Sequence, residues 1–288
     1  MNEEANSAQV EHILTQQKGA VGIITLARPE HFNALDVKMA RDLRKAALGY
    51  ARDDAIRSVI ITGVEKVFCS GADLKYVRQK GAEEDFSYLQ PDAREVEASY
   101  GASFKEILEY LHSTISEIRR APKPFIAAVK GVAAAGGFGL AMSCDLVFAA
   151  AGASFEWAYP KTGLTGAESS TFFLTRLIGL RRAFGMVFLN PRLEAQEALE
   201  AGLINGVFPV EKFHAEVFAM AERLAAGPTQ AYGITKRLIN EASGIDRLDA
   251  HMDKELRNLA EIAQGEDFSE GLEAFFTKQA AHFKGNGG

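Results

Sequence analysis

Cysteine is nearly absent: Cys69 and Cys144 are the only two in a chain of 288 residues. Two thiols cannot form a disulfide framework, and neither belongs to a CxxC or a Cys/His pairing, so a disulfide-stapled domain, a zinc site and a dithiol redox motif are set aside. There is no surplus of positive charge either. Lys and Arg number 32 against 38 Asp and Glu, a net charge of -6, and the isoelectric point is near 5.6. A broad basic face for a nucleic-acid backbone is therefore not expected, although a local basic pocket for one phosphorylated ligand is compatible with these numbers. The first residues, MNEEANSAQV, lack the basic stretch followed by an apolar stretch of a secretory leader, and the cytoplasm is the expected location.

One long apolar run is present, from Pro124 to Gly152, and it is roughly the length of a membrane span. It is interrupted by Lys130, Asp145 and the glycines Gly131, Gly136, Gly137 and Gly139. Its FIAAV and LVFAA pieces read as buried strands on either side of a helix, so no membrane association is expected.

What is present is α/β patterning. Val21 to Ala27 and Ser58 to Gly63 read as β-branched buried strands, with an amphipathic helix from Val37 to Arg52 between them. Further strands are expected at Phe125 to Val129, Leu146 to Ala149, Ser154 to Trp157 and Leu203 to Phe208, alternating with helices. Gly81 to Glu97 is charged and aperiodic and reads as a surface loop. From Pro191 the pattern turns helical: LEAQEALEAG ends at Gly202 as a glycine C-cap, and Val210 to Ala226 and Thr229 to Ala242 are amphipathic. No repeat or linker divides the chain. The expected organisation is an α/β core over 1–208 followed by a C-terminal helical region over 209–288.

Two glycine-containing turns each join an apolar strand to a helix: FCSGADLKYV (Phe68 to Val77) and KGVAAAGGFGLAM (Lys130 to Met142). Glycine lets backbone N–H groups approach a ligand with no Cβ in the way, and a helix start adds partial positive charge. Together such turns can bind a developing oxyanion, and separately each is as readily explained by close strand–helix packing. Neither matches GxxxxGK[ST], so a P-loop is excluded.

RPEHFNALD (Arg28 to Asp36), ITG…FCSGADLK, KPFIAAVKGVAAAGGFGLAMSCDLVFAA and the GLIN run ending at Asn205 occur in the order and spacing of the crotonase (enoyl-CoA hydratase/isomerase) superfamily, which the chain resembles over nearly its whole length. The resemblance implies a ββα spiral core, an acyl-coenzyme A thioester as substrate, no cofactor beyond that substrate's own coenzyme A, and assembly as a homotrimer or homohexamer. It implies that the backbone N–H groups of Ala72 and Gly136 form an oxyanion hole for the thioester carbonyl. Arg28, Ala34 and Leu35, with Ala72, Asp73, Leu74 and Lys75, would line the coenzyme A channel. Phe275 and Lys278 of the closing helix would approach adenine and phosphates across a subunit contact; core packing and a solvated charge are the alternatives for these two.

The departures bear on the chemistry. The two glutamates of the hydratases fall here on Gly139 and Tyr159, which, with Trp157, are expected at the acyl pocket. Syn addition of water uses two acid/base groups, so their loss argues against ordinary hydration. The isomerase and dehalogenase branches carry a lone acid at the position of Ala167, and Glu168 follows it; Glu168 entering the pocket and Glu168 as a helix-start acid both remain open. His112 matches a histidine of the dehalogenase branch, and a structural role on an amphipathic helix is the alternative. Asp73 and Asp145 read as turn and strand-end residues. Three readings follow: proton transfer, double-bond isomerisation or an unusual hydration at an acyl-CoA with Glu168 as the single acid/base; hydrolysis or substitution on an aryl- or alkyl-CoA with His112 and Glu168; and acyl-CoA binding without catalysis.

Overall fold

The computed structural model describes residues 7–10, 12–64, 66–82, 85 and 99–285. In chain order the elements are β1 (Ser7–Val10), β2 (Ile13–Lys18), β3 (Val21–Leu26), α1 (Val37–Arg52), β4 (Ser58–Gly63), β5 (Val67–Cys69), α2 (Leu74–Arg78), α3 (Tyr100–Arg120), β6 (Phe125–Val129), β7 (Val132–Ala134), α4 (Gly136–Ser143), β8 (Leu146–Ala150), β9 (Ser154–Glu156), α5 (Ser170–Ile178), α6 (Leu180–Leu189), β10 (Arg192–Glu194), α7 (Ala195–Ala201), β11 (Gly206–Phe208), α8 (Phe213–Ala225), α9 (Thr229–Ala242), α10 (Leu248–Ile262) and α11 (Glu266–Thr277).

The strands form two sheets. The larger runs β1-β2-β3-β4-β6-β8-β11 and the smaller β10-β9-β7-β5. Between β4 and α5 the chain repeats one unit: a strand enters the large sheet, the next enters the small sheet, and a helix returns. Thus β4, β6 and β8 are parallel neighbours in the large sheet, and β5, β7 and β9 in the small one. This is the crotonase fold, as the resemblance implied.

Strand burial follows from this layering. Every residue of β4 and β6 is buried, as expected of parallel strands covered on both faces. Val59, Ile61, Phe125, Ala127 and Val129 face the main core, which contains α1, α3 and the small sheet. Ile60, Ile126 and Ala128 point the other way, into a second cluster closed by Phe213, Val217 and Ala221 of α8. Removing a fully buried ring such as Phe213 costs ~3–5 kcal/mol, which gives the scale on which α8 holds that face.

Some expectations are adjusted. The β1–β2 hairpin precedes the first strand read from the sequence; only Ile13 is buried along β2, so its apolar alternation is faint. The expected strand Leu203 to Phe208 is reduced to Gly206–Phe208, because Leu203 N–H and Asn205 N–H bond Ala198 and Val147 carbonyls in a turn. The helix expected from Val210 begins at Phe213. Apart from Gly81, Ala82 and Asp85, the loop read at Gly81 to Glu97 lies outside the described residues. Among the described residues no helix is long and apolar enough to cross a membrane. The apolar run instead supplies β6, β7, α4 and β8.

Candidate active site

The site is a consequence of β5 and β7 being parallel neighbours. Parallel strands end on the same edge, so the turns that follow them meet there. A Cβ on Gly71, whose φ is +100°, would stand 2.8 Å from the Ala135 Cβ and 3.3 Å from the Gly136 nitrogen. A Cβ on Gly137 would overlap the Cys69 carbonyl oxygen. Glycine is required at both positions for the turns to touch. Ala135, the residue before α4, is itself at φ 46°, a strained conformation of the kind found at functional sites.

Ala72 pairs with Leu35 in an isolated bridge, and Asp73 N–H bonds the Leu35 carbonyl at 2.8 Å. Neither Ala72 N–H nor Gly136 N–H donates to a described protein acceptor, while the neighbouring Asp73 and Ala135 N–H groups both do. Arg28 fixes the opposite wall. Its guanidinium bonds Asp73 at 2.7 Å, Asp36 at 3.0 Å and the Ala34 carbonyl at 3.0 Å. Asp73 also accepts from the N–H groups of Lys75 (2.9 Å) and Tyr76 (3.2 Å), capping α2. Asp145 has the structural role expected of it, accepting from Phe125 N–H and from Arg119 and Lys236.

A cavity of about 360 Å³ opens here. Of the residues singled out from the sequence, Ala34, Ala72, Asp73, Leu74, Lys75, Gly136, Tyr159, Glu168 and Phe275 line it. Arg28, Leu35, Gly139, Trp157, His112 and Lys278 are not among its lining residues. Arg28 is turned to its aspartates and Leu35 is fully buried in the core. Trp157 lies behind Tyr159, with ring centroids 4.9 Å apart, and donates its indole N–H to the Ser170 hydroxyl at 3.3 Å. Lys278 is an exposed residue ending α11 in a left-handed conformation. Phe104 of α3, Leu164, Leu259 of α10 and Phe276 of α11 complete the apolar wall. Tertiary packing alone brings them there, and no local pattern distinguishes them from ordinary core residues.

Three buried acids line this cavity, and two are paired with basic or amide groups: Asp73 with Arg28, and Glu156 with Lys161 and the Asn190 amide. Glu168 is the third. Its carboxylate stands over the glycine turn: a Cβ on Gly136 would lie 3.1 Å from Glu168 Oε1. Tyr159 donates its hydroxyl to Glu168 Oε2. Tyr159 and Gly139 thus both lie against Glu168. Tyr159 holds the carboxylate, and a Cβ on Gly139 would come within 2.5 Å of the Glu168 carbonyl oxygen and 2.7 Å of its Cβ. Burial pushes the Glu168 carboxyl up to about 8; the Tyr159 hydrogen bond opposes this and the nearby Glu255 charge adds to it. Tyr159 is in turn raised well above its ordinary range, by burial first and then by Glu168.

His112 lies behind the cavity. Its Nε2 accepts the Glu168 backbone N–H at 3.3 Å, and burial lowers its pKa to about 4. It is therefore neutral at physiological pH, with the remaining proton on Nδ1. Cys69, also close to Glu168, is pushed by burial up to about 12 and stays a thiol. Among the described residues no cluster of three metal-ligating side chains occurs.

Comparison with known proteins agrees with this architecture. Residues 16–286 match the sequence profile of the enoyl-CoA hydratase/isomerase family. The chain is 36% identical over 265 residues to a probable enoyl-CoA hydratase of Rhodobacter capsulatus, covering 92% of this chain and 95% of that one. It is 33% identical to the 1,2-epoxyphenylacetyl-CoA isomerase of Escherichia coli, covering 96% and 99% of the two chains. The crystal structure of an enoyl-CoA hydratase from Mycobacterium avium subsp. paratuberculosis superposes with a TM-score of 0.82 at 29% identity, over 96% of this chain and 100% of that one. With its fold, its paired glycine turns and these relatives in accord, the chain belongs to the enoyl-CoA hydratase/isomerase family.

Proposed function

We propose that this protein binds an acyl-CoA thioester, stabilises its enolate between the N–H groups of Ala72 and Gly136, and moves a proton at the carbon next to the carbonyl with Glu168 as the single acid/base. Shift of a double bond relative to the thioester is the reaction this arrangement suits best. The supporting observation is the placement of the buried Glu168 carboxylate, its pKa raised to about 8, over a glycine turn whose first helical N–H has no protein acceptor among the described residues. A base serves best when its pKa lies near the working pH, and a carboxyl near 8 meets that condition. The two N–H groups would take up charge as it develops on the thioester oxygen, usually the largest electrostatic contribution to such chemistry.

Coenzyme A enters as part of the substrate, along the wall made by Ala34, Asp73, Leu74 and Lys75. The hydrolytic reading that pairs His112 with Glu168 loses support, since His112 Nε2 is occupied by a backbone N–H behind the cavity. Binding without catalysis leaves a buried acid in the cavity without a purpose, when a neutral side chain would be less costly there.

The test is a panel of crotonyl-, 3-enoyl- and aryl-CoA thioesters, following loss or gain of conjugation. Turnover of a 3-enoyl-CoA to its conjugated isomer, without net hydration, is the expected result. Net hydration or thioester cleavage as the main reaction would overturn the assignment.

A further inference from the structure

Glu168 and Ser169 occupy consecutive left-handed conformations, at φ 52° and 58°. Neither is glycine, and a side chain disfavours this conformation, so the pair persists only where its surroundings hold it. Here they do so from two helices distant in sequence. Glu255 of α10, 5% exposed, accepts the Ser169 N–H at 2.8 Å and the Thr171 N–H at 3.1 Å, one on each carboxylate oxygen, and also the Thr171 hydroxyl. His112 of α3 accepts the Glu168 N–H. The Ser169 side chain, in the N-cap position of α5, makes no cap hydrogen bond, so the helix start is satisfied by Glu255.

The left-handed pair has a consequence for the acid. With the turn held this way, Ala167 is fully buried among apolar neighbours, and Glu168, the residue after it, carries its carboxylate to the cavity. We infer that Glu255, resting on the reading of Glu168 as the acid, is a positioning residue that locks the Glu168–Ser169 pair in the conformation aiming that carboxylate at the Gly136 turn. Glu255 is not among the residues lining the cavity. It acts through the backbone, and it is supplied by the C-terminal helical region, so that region takes part in the chemistry as well as in packing.

The experiment measures kcat, KM and their pH profiles on a thioester turned over by the wild type, for Glu255→Ala, Glu255→Gln, Glu168→Gln and the double variant Glu168→Gln/Glu255→Ala. Glu255→Ala is expected to lower kcat ~10–10²-fold with KM little changed, because a misaimed base loses rate more than binding. The double variant should be no slower than Glu168→Gln alone. Glu255→Gln keeps one oxygen for the Ser169 N–H and is expected to recover most of the rate. It should also move the limb of the pH profile to lower pH, since a like charge near Glu168 is gone while Tyr159, His112 and Cys69 still face it. If Glu255→Ala does not fold, the Glu255→Gln limb decides. Wild-type kcat in a folded Glu255→Ala, or an unmoved limb in Glu255→Gln, overturns the inference, provided Glu168→Gln is slow. If Glu168→Gln itself turns over normally, the assigned acid is wrong and the positioning role falls with it.

Discussion

The residue that decides the account is Glu168, and its burial has a thermodynamic signature separate from catalysis. Its folded-state pKa, about 8, lies above the ordinary 4.5. Below the lower value both folded and unfolded chains hold the proton. As the pH rises through this window the unfolded chain loses its proton first, so stability falls, by about 1.4 kcal/mol per pH unit at most. Glu168→Gln removes that dependence, while its amide oxygen still accepts the Tyr159 hydroxyl. The variant is therefore expected to melt higher than the wild type near pH 8 and to converge with it near pH 4.5, as checked by thermal unfolding across that range. A constant difference would mean that Glu168 does not titrate as a buried acid.

Among the elements, the two parallel strands β5 and β7 make the site by ending side by side, and the α5 start makes it specific. Gly139 marks the limit of that arrangement. A side chain there would enter the Glu168 backbone, so Gly139→Glu is expected to destabilise by ~1–3 kcal/mol and to lower turnover, without conferring hydration. Denaturant unfolding and the thioester panel measure both effects. Much of this level was legible in the sequence. The strands at Ser58 to Gly63 and Phe125 to Val129 and the helices at Val37 to Arg52 and Thr229 to Ala242 agree with the structure to the residue, because buried parallel strands and amphipathic helices carry strong local patterns. The glycine turns were legible for the same reason. The conformation that brings in Glu168 was not: it depends on Glu255, 87 residues further on, and Ser169 gives no local sign that it is left-handed. Gly139 was expected at the pocket from the resemblance and Trp157 as an apolar neighbour of the expected acid, whereas Tyr159 and Glu168, and not these two, line the cavity.

At the scale of the whole molecule, the chain leaves apolar side chains on its surface. Leu180, Phe184, Phe188 and Leu189 on α6 and Ile234, Leu238 and Ile239 on α9 are exposed, with Phe184 and Phe188 stacked. A homotrimer or homohexamer would cover this apolar surface, and light scattering at micromolar concentration is expected to show an assembly rather than a monomer. Such an assembly would also bear on the proposed coenzyme A binding. Lys75→Ala is expected to weaken thioester affinity ~5–10-fold, through loss of a largely exposed phosphate contact. Lys278→Ala should do so only if Lys278 reaches a neighbouring subunit's channel, which titration calorimetry on the intact assembly distinguishes. The central claim is that one carboxylate moves the proton, and the most direct measurement is the turnover of Glu168→Gln on the 3-enoyl-CoA that the wild type isomerises best. The account predicts unchanged binding with a loss of ~10²–10⁴ in kcat, and a kcat equal to wild type would contradict it.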